Sequence, residues 1–349
     1  MARAIVRIPY SSEPDARRAE ELAEALQPLA RPLSSDDALE PLVERVGGAR
    51  YVLLGGAAPG ASELLTWRAH LTRRLVEAKG FSIVALEGDA GVLERVGRYV
   101  RGAAGEPSAR KAFGPRPPWP GWAWANEELA ELAEWLREHN AARPAAEARV
   151  GLDSLDWDTC AWHMLERLER LIARQGEGAK AVIWGHNAQV GDARYAGREG
   201  GEPSLGQLMR EQHGAEGVLL VGSSAYAGSV LAAAKWGAPP APRALAPGRP
   251  GSLEDALHRL GEGTDLLLLF GAHVPEGPLL APRGHRALGF VYDPSREGPD
   301  AYVPTVLPRR YDALFFVDRA SPSRPCAPAP GAQPRPARRP LEAAPGRRF

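Results

Sequence analysis

The chain has 349 residues, of which 44% are hydrophobic and 25% charged, a composition typical of a globular protein with a sizeable core. Its 43 basic and 43 acidic side chains cancel to a formal net charge of +0, which excludes a nucleic-acid-binding surface spread over the whole chain and an acidic solvating chain. Two cysteines exclude a disulfide framework, and no apolar run reaches the roughly 20 residues that span a bilayer. We therefore expect a cytoplasmic protein without nucleic-acid or membrane partners.

Five apolar runs in the first part of the chain are continuous rather than alternating, which is typical of strands covered on both faces. They comprise residues 51–56, 82–87, 149–153, 181–186 and 218–224. Helical patterns lie between them, with Ser62, Asp89 and Asn126 as candidate N-caps. This alternation predicts an α/β fold with a mostly parallel central sheet flanked by helices.

The part of the chain after about residue 225 has a different pattern. Residues 265–270, 286–292 and 311–317 are predicted strands, and residues 252–260 form the one clear predicted helix. We expect extra strands beside the main sheet or a smaller α+β lobe. The predicted domain of residues 1–320 thus has a core over about 35–225 and an accessory lobe over about 226–320.

The C-terminal end is rich in proline and arginine. Residues 320–349 contain eight prolines, six arginines and a single acid, Glu342. Proline at this density disfavours helix and sheet, and few large apolar groups are present to offset the entropy of ordering. We predict a disordered tail over residues 321–349, with contact to phosphate or to an acidic partner as the alternative.

Several reactive side chains follow the ends of predicted strands. Glu87 and Asp89 follow the second strand, Asp153 ends the third, and His186 and Asn187 follow the fourth. The carboxyl ends of parallel strands meet at one edge of a sheet, where carboxylates and an imidazole can transfer protons. We therefore expect Glu87 and His186 to be catalytic and Asp89, Asp153 and Asn187 to contact substrate. For Asp89 and Asp153, capping of the next helix is the alternative.

Arg68 lies on the apolar face of a predicted helix, in register with Leu64, Leu71 and Leu75. A guanidinium leaving an apolar face must reach solvent or find an acid. We expect an ion pair between Arg68 and Glu87, which either belongs to the catalytic site or only holds the helix to the sheet.

The sequence contains no pattern typical of a cofactor or metal site. The glycine-rich segment 55–62 lacks the Gly-Lys-Ser/Thr ending of a P-loop and does not fit Gly-x-Gly-x-x-Gly. The eight histidines are scattered, without paired spacing on one helix face. We therefore expect neither a cofactor nor a metal.

Nine stretches together resemble the erythromycin esterase family. They are residues 53–63, Arg68, 80–89, 126–140, 180–194, 204–209, 218–230, 286–294 and 307–318. The resemblance extends over about residues 35–320. It implies an α/β core with an added lobe and a helical segment that is shortened here to 155–178. It also implies metal-independent hydrolysis of a macrolactone ester by water activated through a histidine and glutamates, with Arg68, Glu87 and His186 as the surviving catalytic residues.

The resemblance is incomplete at three positions. The family's first-strand motif is Gly-Glu-Ala-Thr-His-Gly, so Gly56 replaces its glutamate and Pro59 replaces its general-base histidine. Gln189 replaces the second histidine of a His-Asn-x-His motif. A general base contributes about 10²–10⁴-fold to a rate, and neither glycine nor proline can transfer a proton. We therefore expect an impaired hydrolase for an ester or lactone, or alternatively a non-catalytic small-molecule-binding or scaffold protein.

Residues 114–124 contain three tryptophans and four prolines. This segment is interpreted as the aromatic rim of a pocket or as a rigid loop seated on the core. A proline-rich ligand for another domain is the alternative. The sequence leaves the oligomeric state open.

Overall fold

The computed structural model of the protein describes residues 12–326, apart from residues 104, 116, 118, 145–147, 197–200, 272–273 and 275. Its helices are α1 Ser12–Leu26, α2 Glu40–Val46, α3 Ser62–Lys79, α4 Ala90–Val100, α5 Ala109–Phe113, α6 Glu127–Ala142, α7 Ala161–Gln175, α8 Asn187–Val190, α9 Leu205–His213, α10 Leu253–Gly261 and α11 Leu307–Arg310. Its strands are β1 Ala30–Pro32, β2 Tyr51–Gly56, β3 Ile83–Leu86, β4 Gly151–Ser154, β5 Ala181–His186, β6 Val218–Ala233, β7 Pro240–Leu245, β8 Leu266–Leu269, β9 Arg283–Arg286, β10 Tyr302–Thr305 and β11 Ala313–Ala320.

A nine-stranded sheet forms the centre of the protein. Its order is β1-β8-β11-β6-β2-β5-β3-β4, and β7 pairs with β6 outside this path. The strands from β11 to β4 are all parallel to their neighbours, whereas β1, β8 and β7 are added in antiparallel pairs. The predicted α/β fold with a mostly parallel central sheet is confirmed.

The sheet is covered on both faces, which explains why the strand sequences are continuously apolar. In β2, Val52 and Leu54 pack into one apolar layer, while Tyr51 and Leu53 pack into the layer on the opposite face. The first layer includes apolar side chains of α3, α4 and α6, and the second includes those of α1, α7, α9 and α10. Alternate residues of one strand thus serve two different cores.

Two of the three N-caps named from the sequence are present. The Asp89 carboxylate accepts the Val92 N–H at 2.8 Å, and the Asn126 side chain accepts the Leu129 N–H at 2.8 Å. The prediction for Ser62 is wrong, since its side chain caps no helix. Its hydroxyl instead donates to Glu128 Oε1 at 2.6 Å and joins α3 to α6.

The C-terminal half differs from the predicted strands in two places. β6 continues to Ala233, well past the predicted end at residue 224, because it also pairs with the antiparallel β7. The predicted strand 286–292 is wrong, because β9 ends at Arg286. β9 pairs only with β10 in a separate two-stranded sheet, whereas β8 and β11 extend the main sheet.

Residues 321–326 cross the loop between β2 and α3 and reach the start of α6. Ser323 N–H donates to Gly60 O at 2.8 Å, and Cys326 N–H donates to Ala125 O at 2.9 Å. These contacts correct the predicted start of the disordered tail at residue 321, and residues 327–349 lie outside the described residues. Within the described part of the chain, no helix has both the length and the apolar character needed to cross a membrane.

Candidate functional site

A cavity of about 280 Å³ opens where β2, β3 and β5 end. The β2–β5 register pairs Gly56 with His186, and the Glu87 N–H, at the end of β3, donates to Trp184 O of β5 at 2.8 Å. Three strand ends therefore deliver their terminal residues to one rim of the sheet. The polar and small lining residues named from the sequence are Gly56, Pro59, Arg68, Glu87, His186 and Gln189.

Both ring nitrogens of His186 are occupied by the backbone. Nδ1 accepts the Ala188 N–H at 3.1 Å, and Nε2 lies 2.9 Å from Leu288 O. A carbonyl oxygen can only accept, so Nε2 carries the ring proton and Nδ1 is the acceptor. Burial lowers the pKa of His186, and the charges of Arg310 and Arg68 lower it further. The imidazole is therefore neutral at pH 7, with no lone pair left for a proton.

Glu87 is a buried carboxyl group that titrates near neutrality. Its Oε2 accepts the backbone N–H of His186 at 2.6 Å, and its backbone carbonyl accepts the Trp124 indole N–H at 2.7 Å. Burial raises the pKa of Glu87 to about 7, although the bond from His186 and the charge of Arg68 both oppose this change. Glu87 therefore gains or loses its proton in the neutral pH range.

Arg68 reaches the cavity from α3 and is only 6% exposed. Its guanidinium lies over the Trp184 ring, 4.7 Å from the ring centroid, and its Nε is buried without a hydrogen-bond partner. Among the described residues no carboxylate lies within 4.0 Å of it, so the expected direct ion pair with Glu87 is wrong. Burial lowers the pKa of Arg68 to about 10, which leaves it charged at neutral pH, and the nearby Glu87 opposes this change.

The three positions that differ from the family motifs lie beside these groups. A Cβ atom on Gly56 would lie 3.2 Å from Arg68 Nη1, so the guanidinium fills the space next to this glycine. Pro59 lines the same cavity and offers no proton acceptor. Gln189 also lines it, and its Oε1 is buried without a hydrogen-bond partner.

Four large aromatic side chains line the cavity. Trp124, Trp157, Trp184 and Phe290 line it directly, and Trp119 and Trp122 pack against Phe290 with ring centroids 6.2 Å apart. The tryptophan-rich segment therefore contributes both to the rim of the cavity and to the core, which were its two main interpretations. Trp157 and Phe290 were not predicted from the sequence: Trp157 is a single aromatic residue shortly after the predicted strand 149–153, and Phe290 lies within the predicted strand 286–292.

Three residues proposed as substrate contacts lie outside the cavity lining. Asp89 caps α4, and Asp153 Oδ2 lies 2.5 Å from Arg101 Nη2. The Asn187 amide joins the start of α8 to β6: its Nδ2 donates to Ser223 O at 2.7 Å and its Oδ1 accepts the Ser223 N–H at 3.2 Å. The contacts of these residues hold the structure together, so the structure does not support the predicted substrate contacts.

The described residues contain no group of three or more histidine, cysteine, aspartate and glutamate side chains arranged to hold a metal ion. The polar part of the cavity therefore consists of one unpaired guanidinium, one carboxyl group that titrates near pH 7, one neutral imidazole and one amide. Such a set can bind an anion or a polar group and can transfer a proton through Glu87.

Comparisons with known proteins give a family and a fold. The sequence model described as erythromycin esterase matches residues 76–160 and 153–320. A protein from Bacillus cereus superposes with a TM-score of 0.68 at 17% identity, covering 91% of this chain and all of that one. A succinoglycan biosynthesis protein gives 0.67 at 17% identity, with coverage of 90% and 100%. A histidine variant of the erythromycin esterase EreC, in its open conformation, gives 0.60 at 16% identity, with coverage of 85% and 96%.

Proposed function

This chain belongs to the erythromycin esterase family, and from that premise we propose that it binds a small molecule in the crevice while being impaired as an ester hydrolase. The crevice at the strand ends supports binding, because it combines aromatic walls with a few converging polar groups, as ligand sites commonly do.

The state of His186 is the observation on which the impairment rests. Its two ring nitrogens are bonded to Ala188 and Leu288, so it cannot take a proton from water without breaking one of these contacts. Gly56 and Pro59 provide no substitute. The loss of a general base costs about 10²–10⁴-fold in rate, which is enough to reduce hydrolysis to a slow background reaction.

Hydrolysis of para-nitrophenyl acetate and of a macrolide by the purified protein tests this proposal. We expect wild type and the double variant Arg68→Met/Glu87→Gln to agree within about twofold, far less than the effect of a working general base. Glu94→Gln, at an exposed glutamate of α4, is the matched control. Turnover that falls about 100-fold or more in the double variant would contradict the proposal.

Glu87 provides a second candidate function, which is slow hydrolysis of a small ester. One oxygen of this carboxyl accepts a hydrogen bond from His186, and within the described part of the chain the other accepts none. A carboxylate with a pKa of about 7 is well matched to act as a general base near neutrality. This function requires a hydrolysis rate that rises with pH through about 7 and is lost in Glu87→Gln.

A further inference from the structure

Arg68 differs from the other deeply buried arginines in having no counter-ion or hydrogen-bond acceptor. Arg286 donates to Glu297 and to three backbone carbonyls, and Arg310 donates to Thr305 and to Asn187 O. Arg68 donates no hydrogen bond to any described residue. Burial of a charge costs several kcal/mol, and the face of Trp184 offsets only part of this cost for Arg68.

We infer that the crevice binds a small organic carboxylate, whose anionic group is held by the Arg68 guanidinium and whose apolar body lies against the aromatic wall. The inference builds on the proposed small-molecule binding and names the chemical class of the ligand.

The donor geometry favours a carboxylate. A guanidinium presents parallel N–H groups in a planar fork, which match the two oxygens of a carboxylate. The guanidinium carbon of Arg68 lies over the Trp184 ring, and its N–H groups donate no hydrogen bond to any described residue. Gln189 lines the same cavity, and rotating its amide would place an N–H₂ donor where the buried Oε1 now has no hydrogen-bond partner.

The neighbouring charges favour an anion over a neutral ligand. His186 is neutral, and Glu87 is largely protonated below its pKa of about 7, so neither supplies a full counter-charge to Arg68 there. The charge that acts on the Glu87 carboxyl is that of Arg68 from α3, and Asp89, two residues further along the chain, directs its carboxylate to the start of α4. An entering carboxylate would therefore be the closest negative charge to the guanidinium.

The cavity size limits the apolar body. A volume of about 280 Å³ corresponds to about nine water molecules and lies just below the roughly 300–1,000 Å³ of pockets for drug-sized ligands. Trp124, Trp157 and Phe290 surround this space with ring faces and edges. A carboxylic acid carrying one or two rings matches the cavity, and a macrolactone is far larger.

Isothermal titration with phenylpropionate and phenylpropionamide tests the inference, because the two probes share one body and differ in charge. At about pH 6 we expect wild type to bind the acid at least tenfold more tightly than the amide, as a charge-assisted bidentate contact would give. Arg68→Met should bring the two affinities within about twofold, whereas Arg68→Lys should retain part of the preference. Arg98→Met, at an exposed arginine of α4, is the matched control.

The titrations can contradict the carboxylate inference in two ways. Equal affinity for acid and amide in wild type would overturn the carboxylate inference while leaving small-molecule binding intact. The absence of acid binding at millimolar concentration would also overturn it, and binding of neutral esters would then test the proposed function separately. If Arg68→Met does not fold, the titrations of wild type and Arg68→Lys still test the inference. A preference for the acid over the amide that is fully unchanged in Arg68→Lys would contradict a planar two-point contact.

Discussion

At the scale of single residues, the site is defined by groups whose ordinary partners are missing. Arg68 keeps its charge without an acceptor, and Glu87 keeps a proton that a solvated glutamate would release. The two groups affect each other's pKa without touching. Both features arise from burial, and a carboxylate that enters the crevice would supply the acceptor that Arg68 lacks.

The raised pKa of Glu87 predicts a pH-dependent cost to stability. Its pKa rises from the ordinary 4.5 to about 7, so the contribution of Glu87 to the free energy of unfolding is present below about pH 4.5 and is lost as the pH rises through 7. We expect the stability of Glu87→Gln relative to wild type to increase by up to about 3 kcal/mol across this interval. Urea unfolding at several pH values measures the difference, and a difference independent of pH would contradict the prediction.

A carboxylate placed at position 56 should compete with the ligand. A Cβ atom there would lie 3.2–3.4 Å from three atoms of the Arg68 guanidinium, so the side chain of Gly56→Glu can pair with it after a small shift. We expect at least tenfold weaker binding of phenylpropionate and little change for the amide. Gly56→Ala is the control for the added Cβ. Unchanged acid binding in Gly56→Glu would show that the guanidinium is not the anion contact.

The sequence predicts the polar part of the site but not its bonding. Glu87 and His186 end apolar strands, and Arg68 interrupts an apolar helix face, so patterning alone indicates a shared edge. The occupied ring of His186 could not be predicted, because one of its partners, Leu288, lies about 100 residues away in a segment expected to be a strand. The positions of Trp157 and Phe290 in the cavity wall could not be predicted either, because they too depend on tertiary packing.

At the scale of elements, residues 321–326 form a strap that joins two loops beside the crevice. Their backbone pairs with the β2–α3 loop, through Ser62 and Gly60, and with the start of α6. Arg324 adds ion pairs to Glu128 and Glu131. The strap therefore fixes the loop that carries Pro59 relative to the segment that carries Trp124.

Removing the strap should destabilise the protein. Its four backbone hydrogen bonds to the two loops each contribute about 1 kcal/mol, so a chain ending at Ala320 should lose about 3–5 kcal/mol of unfolding free energy. Thermal and urea unfolding measure this loss, and hydrogen exchange should show faster exchange of the Ser62 and Glu127 amides. A chain ending at Cys326 keeps the strap and is the control. Equal stability of the two truncated chains would contradict the role of the strap.

At the scale of the whole molecule, the two halves of the chain share one sheet. β11, from the C-terminal half, pairs with β6, β8 pairs with β11, and the N-terminal α1 packs against α10. The continuous apolar runs predict the parallel core well, because burial on both faces leaves a strong pattern. The short β1 and the β9–β10 pair have no such pattern, since they are short and lie at edges.

The shared sheet predicts that the described part of the chain unfolds as one unit. Both apolar layers extend across strands from the two halves, so neither half has a core of its own. We expect tryptophan fluorescence and far-ultraviolet circular dichroism to give coincident urea transitions. Two separated transitions would show that residues after about 225 unfold independently.

The bond from His186 to Leu288 has a mechanical consequence. Leu288 is two residues from Phe290, so the imidazole fastens the loop bearing this aromatic ring to the end of β5. Replacing His186 would release the wall of the crevice and change its shape. A phenotype of such a variant would thus reflect the released loop at Leu288 rather than missing acid–base chemistry.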